Sequence, residues 1–331
     1  MIKVSVIVPC YNEQATICQL LDAIRCQTYP TNEVEVVIVD GLSTDRTRAE
    51  IKNFHLNHPD MEIKVIDNIQ RAIPSGLNRG IEASKGMYIV RMDAHSIPEC
   101  DYIQKCIIGL EEGRGDNIGG IWKIRPGSST WIAEAIAIAA SHPLGAGDAR
   151  YRIGGKAQEV DTVPFGAFRK ELINKIGMFD ESLLTNEDYE FNARIRQSGG
   201  KVWLDPSISS IYYSRPTLQE LSRQYWRYGY WKAQMLRKHP KTLRLRQILP
   251  PLFVLVLLSL GILSLAWKLA QFLLAIIVIL YTMVILGIGI QMSLKHKNLS
   301  IAIGFPLATA TIHLSWGTAF LWGLIAKPKM N

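Results

Sequence analysis

The sequence predicts an α/β fold in which helices cover a mainly parallel sheet, followed by helices that cross a membrane. Three observations lead to this prediction. Short runs of β-branched residues alternate with helical patterns over the first two hundred residues, most residues of the strand runs are apolar, and long apolar stretches close the chain. Continuous apolar strands separated by helices are typical of a parallel sheet buried on both faces.

Strands and helices follow one another in a regular order. The helical segments repeat apolar residues at helical spacing, as residues 17–24 do, and Asp45 stands where an N-cap residue belongs. Residues 141–156 are rich in Gly and small or polar residues without a period, which predicts a mobile loop. The predicted strands are 4–8, 34–39, 63–66, 88–90, 118–124 and 202–204, and the predicted helices are 14–26, 45–54, 74–84, 130–140 and 187–197.

Polar residues follow three of the predicted strands. They are found in Pro9-Cys10-Tyr11, in Asp40-Gly41 and at Asp93. Taken singly, an Asp after a strand is often only a turn former or a helix cap. Parallel α/β sheets bind ligands at the carboxyl ends of their strands, so together these residues predict a ligand site.

Charge and hydropathy distinguish the last part of the chain. From Pro206 onward there are fourteen basic residues and one acid, Glu220, whereas residues 1–205 hold 28 acids and 23 bases. The basic excess coincides with apolar stretches near the roughly 20 residues that span a bilayer, which favours a membrane over nucleic acid as the partner. We predict about three transmembrane helices, at residues 248–267, 269–292 and 301–326.

The segment 215–247 has nine basic residues, one acid and several Tyr and Trp residues. This composition predicts a helical segment at the lipid headgroups, with RNA binding as the alternative. Five bases in 237–246 place the approach to the first span in the cytoplasm, so we expect a multi-pass protein of the plasma or inner membrane with a cytoplasmic N-terminal domain. Three spans would leave Lys327 and Lys329 outside, so the last stretch, which contains Pro306, is alternatively re-entrant.

The cysteines indicate a reduced cytosolic domain. Their number is odd, and no Cys-x-x-Cys pair or zinc-finger spacing to His occurs. We therefore predict free thiols at Cys10, Cys18, Cys26, Cys100 and Cys106.

Four motifs occur in a specific order: VSVIVPCYNE, VDGLSTDRT, DAH and NED. In this order they resemble the family 2 glycosyltransferases over roughly residues 1–235. The runs 71–80 and 86–95 are most similar to the membrane-anchored succinoglycan-type glucosyltransferases of exopolysaccharide biosynthesis. The resemblance implies a GT-A-like (Rossmann-like) nucleotide-sugar-binding domain with a mixed, mainly parallel sheet at residues 1–214, and a membrane anchor at 248–331.

The resemblance also implies a donor pocket. Asp40 would accept a hydrogen bond from the nucleobase and Tyr11 would flank the base. A carboxylate that reads an imide N–H favours a UDP-sugar, although dTDP offers the same edge. Where much of the family has an Arg to meet the diphosphate, this chain has Leu77, and Arg71 is the expected substitute. The residues assigned to the nucleotide sugar are Pro9, Tyr11, Glu13, Asp40, Arg71 and Asp93.

Asp93 and His95 are the expected metal ligands. The family usually has Asp-x-Asp where this chain has Asp93-Ala94-His95. A divalent cation, Mn²⁺ or Mg²⁺, would neutralise the diphosphate, and imidazole suits manganese better than magnesium. Alternatively, His95 hydrogen-bonds to a neighbouring carboxylate or backbone group.

The NED motif implies a catalytic base. Asp188 would take the proton of the acceptor hydroxyl as that oxygen attacks the anomeric carbon from the face opposite the leaving nucleotide. One such displacement inverts the anomeric configuration. Glu187 is assigned to the catalytic pair with it. Alternatively, Glu187 and Asp188 only stabilise the helix N-terminus.

Residues 224–228 read Gln-Tyr-Trp-Arg-Tyr and resemble the Gln-x-x-Arg-Trp motif of processive synthases. The resemblance implies that Gln224, Trp226 and Arg227 contact the acceptor or the diphosphate. We predict an inverting, metal-dependent hexosyltransferase that moves a sugar from a nucleotide sugar to a polyprenyl-diphosphate-linked saccharide in exopolysaccharide or surface-glycan biosynthesis. The alternatives are a polyprenyl-phosphate glycosyltransferase, a processive polysaccharide synthase and a non-enzymatic nucleotide-sugar-binding membrane protein.

Overall fold

The computed structural model describes residues 1–326, which fall into two compact units. The first unit comprises Met1–Lys123 and Gly154–Tyr212, and the second comprises Ile124–Ile153 and the chain from Tyr213 onward. The chain therefore enters the second unit twice. Lys327 and Lys329, which bear on the predicted number of spans, lie outside the described residues.

One mixed sheet organises the first unit. Its parallel part is formed by short Val- and Ile-rich strands, which are favoured where both faces of a strand are buried. Within residues 1–326 its strands are β1 (Val4–Cys10), β2 (Val34–Asp40), β3 (Glu62–Asp67), β4 (Tyr88–Arg91), β5 (Ile97–Pro98), β6 (Asn117–Arg125), β7 (Gln158–Glu159), β8 (Ala167–Arg169) and β9 (Val202–Tyr213).

The helices are numbered along the chain through both units. Two 3₁₀ turns, Thr31–Glu33 and Pro240–Thr242, accompany them. The helices are α1 (Ile17–Arg25), α2 (Thr47–Asn57), α3 (Ile73–Ala83), α4 (Tyr102–Glu111), α5 (Trp131–Ser141), α6 (Pro143–Ala146), α7 (Arg150–Ile153), α8 (Leu172–Ile176), α9 (Glu187–Gln197), α10 (Leu218–Lys238), α11 (Leu245–Leu263), α12 (Lys268–His296) and α13 (Ile301–Ile325).

The strand order is β3-β2-β1-β4-β8-β6-β9-β5, with β7 paired to β9. β3, β2, β1 and β4 are parallel, and β8 then pairs antiparallel with both β4 and β6. Buried residues of β1, β2 and β4 share one core with α1 and α4. The predicted α/β fold with a mixed sheet is confirmed.

Several features of the first unit differ from the sequence prediction. α2 begins at Thr47 with Arg46 as its cap residue, instead of the predicted cap Asp45, and α8 was not predicted. β9 runs over twelve residues instead of ending at 204, because its extended backbone continues through Asp205-Pro206. β5, β7 and β8 were not predicted, because two or three residues are too few to show a period of two. Residues 141–156, which were predicted to form a loop, contain α6 and α7, and both helices belong to the second unit.

In the second unit, α13 packs on the neighbouring helices. Its glycines and Gly229 of α10 allow close approach: a Cβ on Gly229 would lie 2.4 Å from the carbonyl oxygen of Trp316, and one on Gly304 would lie 2.5 Å from Cβ of Ala135. Small residues at helix crossings have this effect in membrane proteins as well. α13 therefore has much of its apolar surface covered by α5, α10, α11 and α12.

Two of the three predicted spans have the length and composition needed to cross a membrane. They are α11 and α12, whose mean hydropathies are 1.9 and 2.9, and most of their apolar side chains are not covered by protein. α13 is also a continuous apolar helix, but eleven of its residues are buried.

Candidate active site

The parallel register brings the predicted donor residues to one edge of the sheet. Cys10 pairs with Asp40, and Asp40 pairs with Asp67, so β1, β2 and β3 end side by side. The amide of Gly41 donates to the carbonyl of Cys10 at 2.7 Å, which joins the loops that follow β1 and β2. Tyr11 and Asp40 therefore lie at the same strand ends, as the sequence predicted.

Tyr11 presents an accessible ring at this edge. Its side chain is 43% exposed, and Cζ of Arg71 lies 5.4 Å from the ring centroid. A Cβ at Gly41 would lie 3.2 Å from a ring carbon of Tyr11, so glycine leaves room for the ring. Arg71 has a positive φ of 55° in the turn after β3. An aromatic face beside a guanidinium suits a nucleobase and a phosphate.

Asp40 is fully buried and already has partners. Its Oδ2 accepts from Arg48 Nε at 2.5 Å and from the amide of Ser43 at 3.0 Å, and its Oδ1 accepts from Ser43 Oγ at 2.5 Å. Arg48 also pairs with Asp67. These hydrogen bonds raise the pKa of Arg48. A nucleobase N–H would therefore share the Asp40 carboxylate with Ser43 and Arg48.

Glu13 and His95 contact each other. His95 Nδ1 lies 2.9 Å from Glu13 Oε1, and Thr16 Oγ1 donates to Glu13 Oε2 at 2.5 Å. The hydrogen bond to a carboxylate that was the alternative to metal binding is thus present. It is compatible with metal binding through Nε2, because metal-bound histidines commonly hydrogen-bond to a carboxylate through the other ring nitrogen.

The predicted base lies in a cluster of three carboxylates around Arg91. Arg91 Nη1 is 3.3 Å from Asp188 Oδ2, and Nη2 is 2.9 Å from Asp93 Oδ1 and 3.1 Å from Glu187 Oε1. The Arg91 side chain is only 5% exposed. Asp93 follows β4 and the two other acids open α9, so the guanidinium joins the two predicted centres of the site.

Partial burial of Asp188, whose side chain is 24% exposed, raises its pKa to about 7. Arg91 opposes this effect, whereas Glu187 and Asp93 add to it. Burial by itself would lower the pKa of Arg91, but the three carboxylates raise it, so the guanidinium stays charged. A carboxyl group that titrates near neutral pH can act as a general base at physiological pH.

The backbone beside this cluster is unusual at two positions. Phe165 has φ 50° and Asn186 has φ 70°. Asn adopts this region fairly readily, but a bulky residue such as Phe is a genuine outlier there, and such outliers cluster at functional sites. The Phe165 carbonyl accepts from Tyr102 Oη at 2.7 Å, and Arg91 Cζ lies 5.2 Å from the Phe165 ring.

Asp93 and His95 could supply few metal ligands. Asp93 Oδ1 faces Arg91, and the side chain is 22% exposed. Within residues 1–326, no group of three or more His, Cys, Asp or Glu side chains is arranged to hold a metal. Asp93 and His95 fit a divalent cation whose remaining ligands come from a diphosphate and water. They do not fit a cation that is held by protein alone.

Gln224, Trp226 and Arg227 lie on α10 in the second unit. Gln224 Nε2 donates to Tyr228 Oη at 3.1 Å, one turn further along the helix. Trp226 is 41% exposed and Arg227 is exposed. Their contact with an acceptor or a diphosphate stays a prediction.

Comparison with known proteins identifies the family. The model of "Glycosyl transferase family 2" matches residues 5–177, which is more than half of the chain. The chain belongs to this family. The succinoglycan biosynthesis protein ExoA of Rhizobium meliloti (strain 1021) is 30% identical over 95% of this chain and 93% of its own. This confirms the resemblance predicted from the motifs.

A second family relative comes from Methanococcus voltae. It is named dolichyl N-acetyl-alpha-D-glucosaminyl phosphate 3-beta-D-2,3-diacetamido-2,3-dideoxy-beta-D-glucuronosyltransferase, and it is 29% identical over 97% of both chains.

Among solved structures, a mannosyltransferase from Pyrobaculum calidifontis, in complex with GDP-Man and Mn²⁺, superposes with a TM-score of 0.63. It is 19% identical and covers 94% of this chain and 86% of its own. TarS 1–349 of S. aureus, in complex with UDP, has a TM-score of 0.51 at 16% identity, with 97% and 90% covered. These similarities confirm the GT-A-like fold.

Sequence reasoning missed two arginines of the site. Arg91 lies in the run 86–95 and Arg48 directly follows the VDGLSTDRT motif, and no role was predicted for either. A signal for Arg91 was present: a charged residue ends a buried apolar strand two positions before Asp93, and residues two apart in an extended chain face the same side. A buried arginine generally needs carboxylate partners.

Proposed function

We propose that this family member is an inverting glycosyltransferase that moves a sugar from a nucleotide sugar to a lipid-linked saccharide. The observation that carries the proposal is the joining of Asp93 and Asp188 by Arg91 within 3.3 Å. A donor-side carboxylate and a base of raised pKa then flank one reacting centre. One of the two relatives is a transferase named for a dolichyl N-acetylglucosaminyl phosphate, and the other is a succinoglycan biosynthesis protein. These names support a lipid-linked acceptor.

The donor would lie along the strand ends. Its base would stack on Tyr11, with Arg71 near the phosphates, and its imide N–H would approach Asp40 beside Arg48. A uracil base fits an acceptor carboxylate, so we propose a UDP-sugar. Pro9 and Glu13 would border the base and ribose.

The chemical step follows from the position of Asp188. Its carboxylate takes the proton of an acceptor hydroxyl while that oxygen forms a bond to the anomeric carbon. The bond between that carbon and the diphosphate oxygen breaks on the opposite face, and the nucleoside diphosphate leaves with the electron pair. One displacement gives inversion. Glu187 pairs with Nη2 of Arg91, whereas Nη1 of the same guanidinium pairs with Asp188 and orients it.

A divalent cation fits beside this centre. Asp93 would hold it, and His95 would add a ligand through Nε2 while Glu13 fixes the ring through Nδ1. Mn²⁺ or Mg²⁺ bound there would neutralise the negative charge of the diphosphate as the glycosidic bond breaks.

We propose that α11 and α12 anchor the enzyme in the inner or plasma membrane. The five bases of 237–246 keep the approach to α11 in the cytoplasm, where nucleotide sugars are made. The proposed organisation keeps residues 1–214 as the catalytic domain, 215–247 as a basic aromatic helical segment and 248–331 as the anchor. A lipid-linked acceptor would then reach the enzyme from the cytoplasmic leaflet.

The direct test is product analysis. Membranes containing the protein are incubated with a panel of UDP-, dTDP- and GDP-sugars, and extracted lipids are analysed by mass spectrometry. We expect one donor to add a single hexose-sized mass to a polyprenyl-diphosphate saccharide, and membranes with Asp188→Asn to add none. Transfer to polyprenyl phosphate, or a ladder of additions, would contradict this acceptor or the single addition.

A further inference from the structure

We propose that Arg91 is a positioning residue. It orients the Asp188 carboxylate toward the acceptor and holds it close to Asp93 on the donor side. This inference rests on the proposed function of Asp188 as the base. It assigns the central cation of the cluster a role in the chemical step without contact with the reacting atoms. The geometry, the fixed surroundings and the charge of the cluster each support it.

The guanidinium uses its flat shape to hold groups from two elements. Nη1 faces Asp188 at 3.3 Å, and Nη2 lies between Asp93 at 2.9 Å and Glu187 at 3.1 Å. Nε is buried and has no hydrogen-bond partner among residues 1–326, so the contacts to the acids come from the two terminal nitrogens. A lysine has one nitrogen and cannot reproduce this fork.

The surroundings hold Arg91 in one place. Its amide donates to the carbonyl of Gly166 at 3.1 Å, and its guanidinium lies over the Phe165 ring at 5.2 Å. Phe165 keeps its positive φ of 50° at this contact. The guanidinium is therefore fixed from the sheet side before any ligand binds.

α9 is also fixed to the sheet. Asn192, on the second turn of this helix, accepts from Asn117 Nδ2 at 2.6 Å and donates to Thr162 Oγ1 at 2.9 Å. The start of the helix, where Glu187 and Asp188 lie, is thus anchored from behind. Arg91 holds the other side of the helix start, because its guanidinium pairs with Glu187 and Asp188 and also with Asp93.

Charge gives the reason for an arginine here. The groups that face Asp188 are Arg91, Asp93 and Glu187, with the Tyr102 hydroxyl from α4 also nearby. Without the cation, three carboxylates would repel one another, and the start of α9 would move away from Asp93. A displacement of about 1 Å at a reacting centre can cost roughly a hundredfold in rate.

The test compares Arg91→Lys and Arg91→Met with Arg169→Lys. Arg169 is a matched control: it lies on β8, its guanidinium lies 5.2 Å from the Tyr88 ring, and it forms no ion pair in the described part of the chain. Three quantities are measured for each: UDP-sugar affinity by calorimetry with Mn²⁺, single-turnover rate, and the pH midpoint of the single-turnover rate. Thermal unfolding identifies variants that have lost the fold.

We expect Arg91→Lys to keep donor affinity within about threefold while the single-turnover rate falls by roughly ten- to a hundredfold. Its pH midpoint should move upward, because a poorly placed ammonium stabilises the ionised Asp188 less than the fork does. Arg169→Lys should match the wild type in all three. If Arg91→Met does not fold, the double variant Arg91→Met/Glu187→Gln, which removes one of the repelling carboxylates, takes its place and should show the same rate loss.

Two results would overturn the inference: a single-turnover rate in folded Arg91→Lys equal to that of Arg169→Lys, or loss of donor affinity by the same factor as the rate. Asp188→Asn, measured in parallel, separates this failure from failure of the proposed function. If Asp188→Asn is inactive while Arg91→Lys is normal, only the positioning role is wrong. If Asp188→Asn turns over normally, the assignment of the base itself is wrong.

Discussion

The Nδ1 atom of His95 lies 2.9 Å from Oε1 of Glu13. The sequence assigned these residues to different ligands, Glu13 to the base or ribose and His95 to a metal. The contact joins the loop after β1 to the segment after β4, so a change in the proposed nucleotide pocket can reach the proposed metal site. A carboxylate also makes an imidazole a better ligand, since it fixes the tautomer and raises the basicity of the other nitrogen.

This contact predicts linked metal affinities. His95→Ala should weaken Mn²⁺ binding in the presence of UDP, and Glu13→Gln should weaken it by about 10- to 100-fold at most, the usual effect of an outer-shell partner. Mn²⁺ titration followed by electron paramagnetic resonance measures both. His55→Ala, at an exposed position of α2, is the control. Unchanged Mn²⁺ affinity in His95→Ala would remove His95 from the metal site.

The burial of Asp40 predicts that its partner matters for stability. Arg48→Met leaves the buried carboxylate with Ser43 alone, so the free energy of unfolding should fall by about 1–3 kcal/mol. Donor affinity should fall as well, because the loop that presents Asp40 loosens.

Thermal unfolding in detergent and UDP titration test this prediction. Arg46→Met is the control, since Arg46 is 74% exposed and pairs only at the surface with Glu50. A loss of stability in Arg46→Met as large as in Arg48→Met would show that the buried pair has no special role.

The raised pKa of Asp188 predicts the pH dependence of transfer. The base must be ionised, and burial raises its pKa to about 7, so activity is lost as the pH falls through this value. The kcat/KM for the acceptor should therefore increase with pH and level off above a midpoint near 7, since this parameter reports ionisations of the enzyme form that binds the acceptor. A midpoint near 4, the ordinary value for Asp, would show that the surroundings of Asp188 do not raise its pKa.

The two candidate spans predict a topology. If α11 and α12 both cross, residues 264–267 face outward, while 237–246 and 297–300 face the cytoplasm. Lys241→Cys should then resist a membrane-impermeant maleimide added to intact cells, and Leu265→Cys, at a position 86% exposed, should react with it. The assay uses a background in which the exposed Cys26 and Cys100 are replaced by Ser. Labelling of Lys241→Cys from outside would show that the protein has the opposite orientation in the membrane.

The parallel half of the fold could be predicted because its signal is local. The Val and Ile runs of β1, β2 and β4 identify buried strands without reference to the rest of the chain. In the antiparallel half, β6 and the start of β9 were predicted, but β8 could not be, because it has only three residues and is fixed by pairing with β4 and β6 rather than by its own pattern. α13 has an apolar composition in the sequence, and only tertiary packing distinguishes its buried faces from those of α12.

The candidate site followed the same rule. Asp40, Asp93 and Asp188 were recognised because each stands in a motif. The ion pairs of Arg91 with Glu187 and Asp188 join residues almost a hundred positions apart in the chain, and the contact of Glu13 with His95 spans 82 positions. No local pattern predicts such pairs. The contact of Glu13 with His95 depends on the parallel pairing of β1 and β4, and the ion pairs of Arg91 depend on the position of α9, which follows the antiparallel strand β8.

The measurement that tests the account most directly is the single-turnover rate of Asp188→Asn together with its donor affinity. Asparagine keeps the size of the side chain and can still accept a hydrogen bond, but it cannot take the acceptor proton. We predict unchanged UDP-sugar affinity and a rate lower by roughly two to four orders of magnitude. Glu190→Gln serves as a comparison. Because Glu190 is buried and paired with Arg194, this substitution should lower the stability of the protein and have a smaller effect on the rate of the chemical step. A near-normal rate in Asp188→Asn would contradict the account.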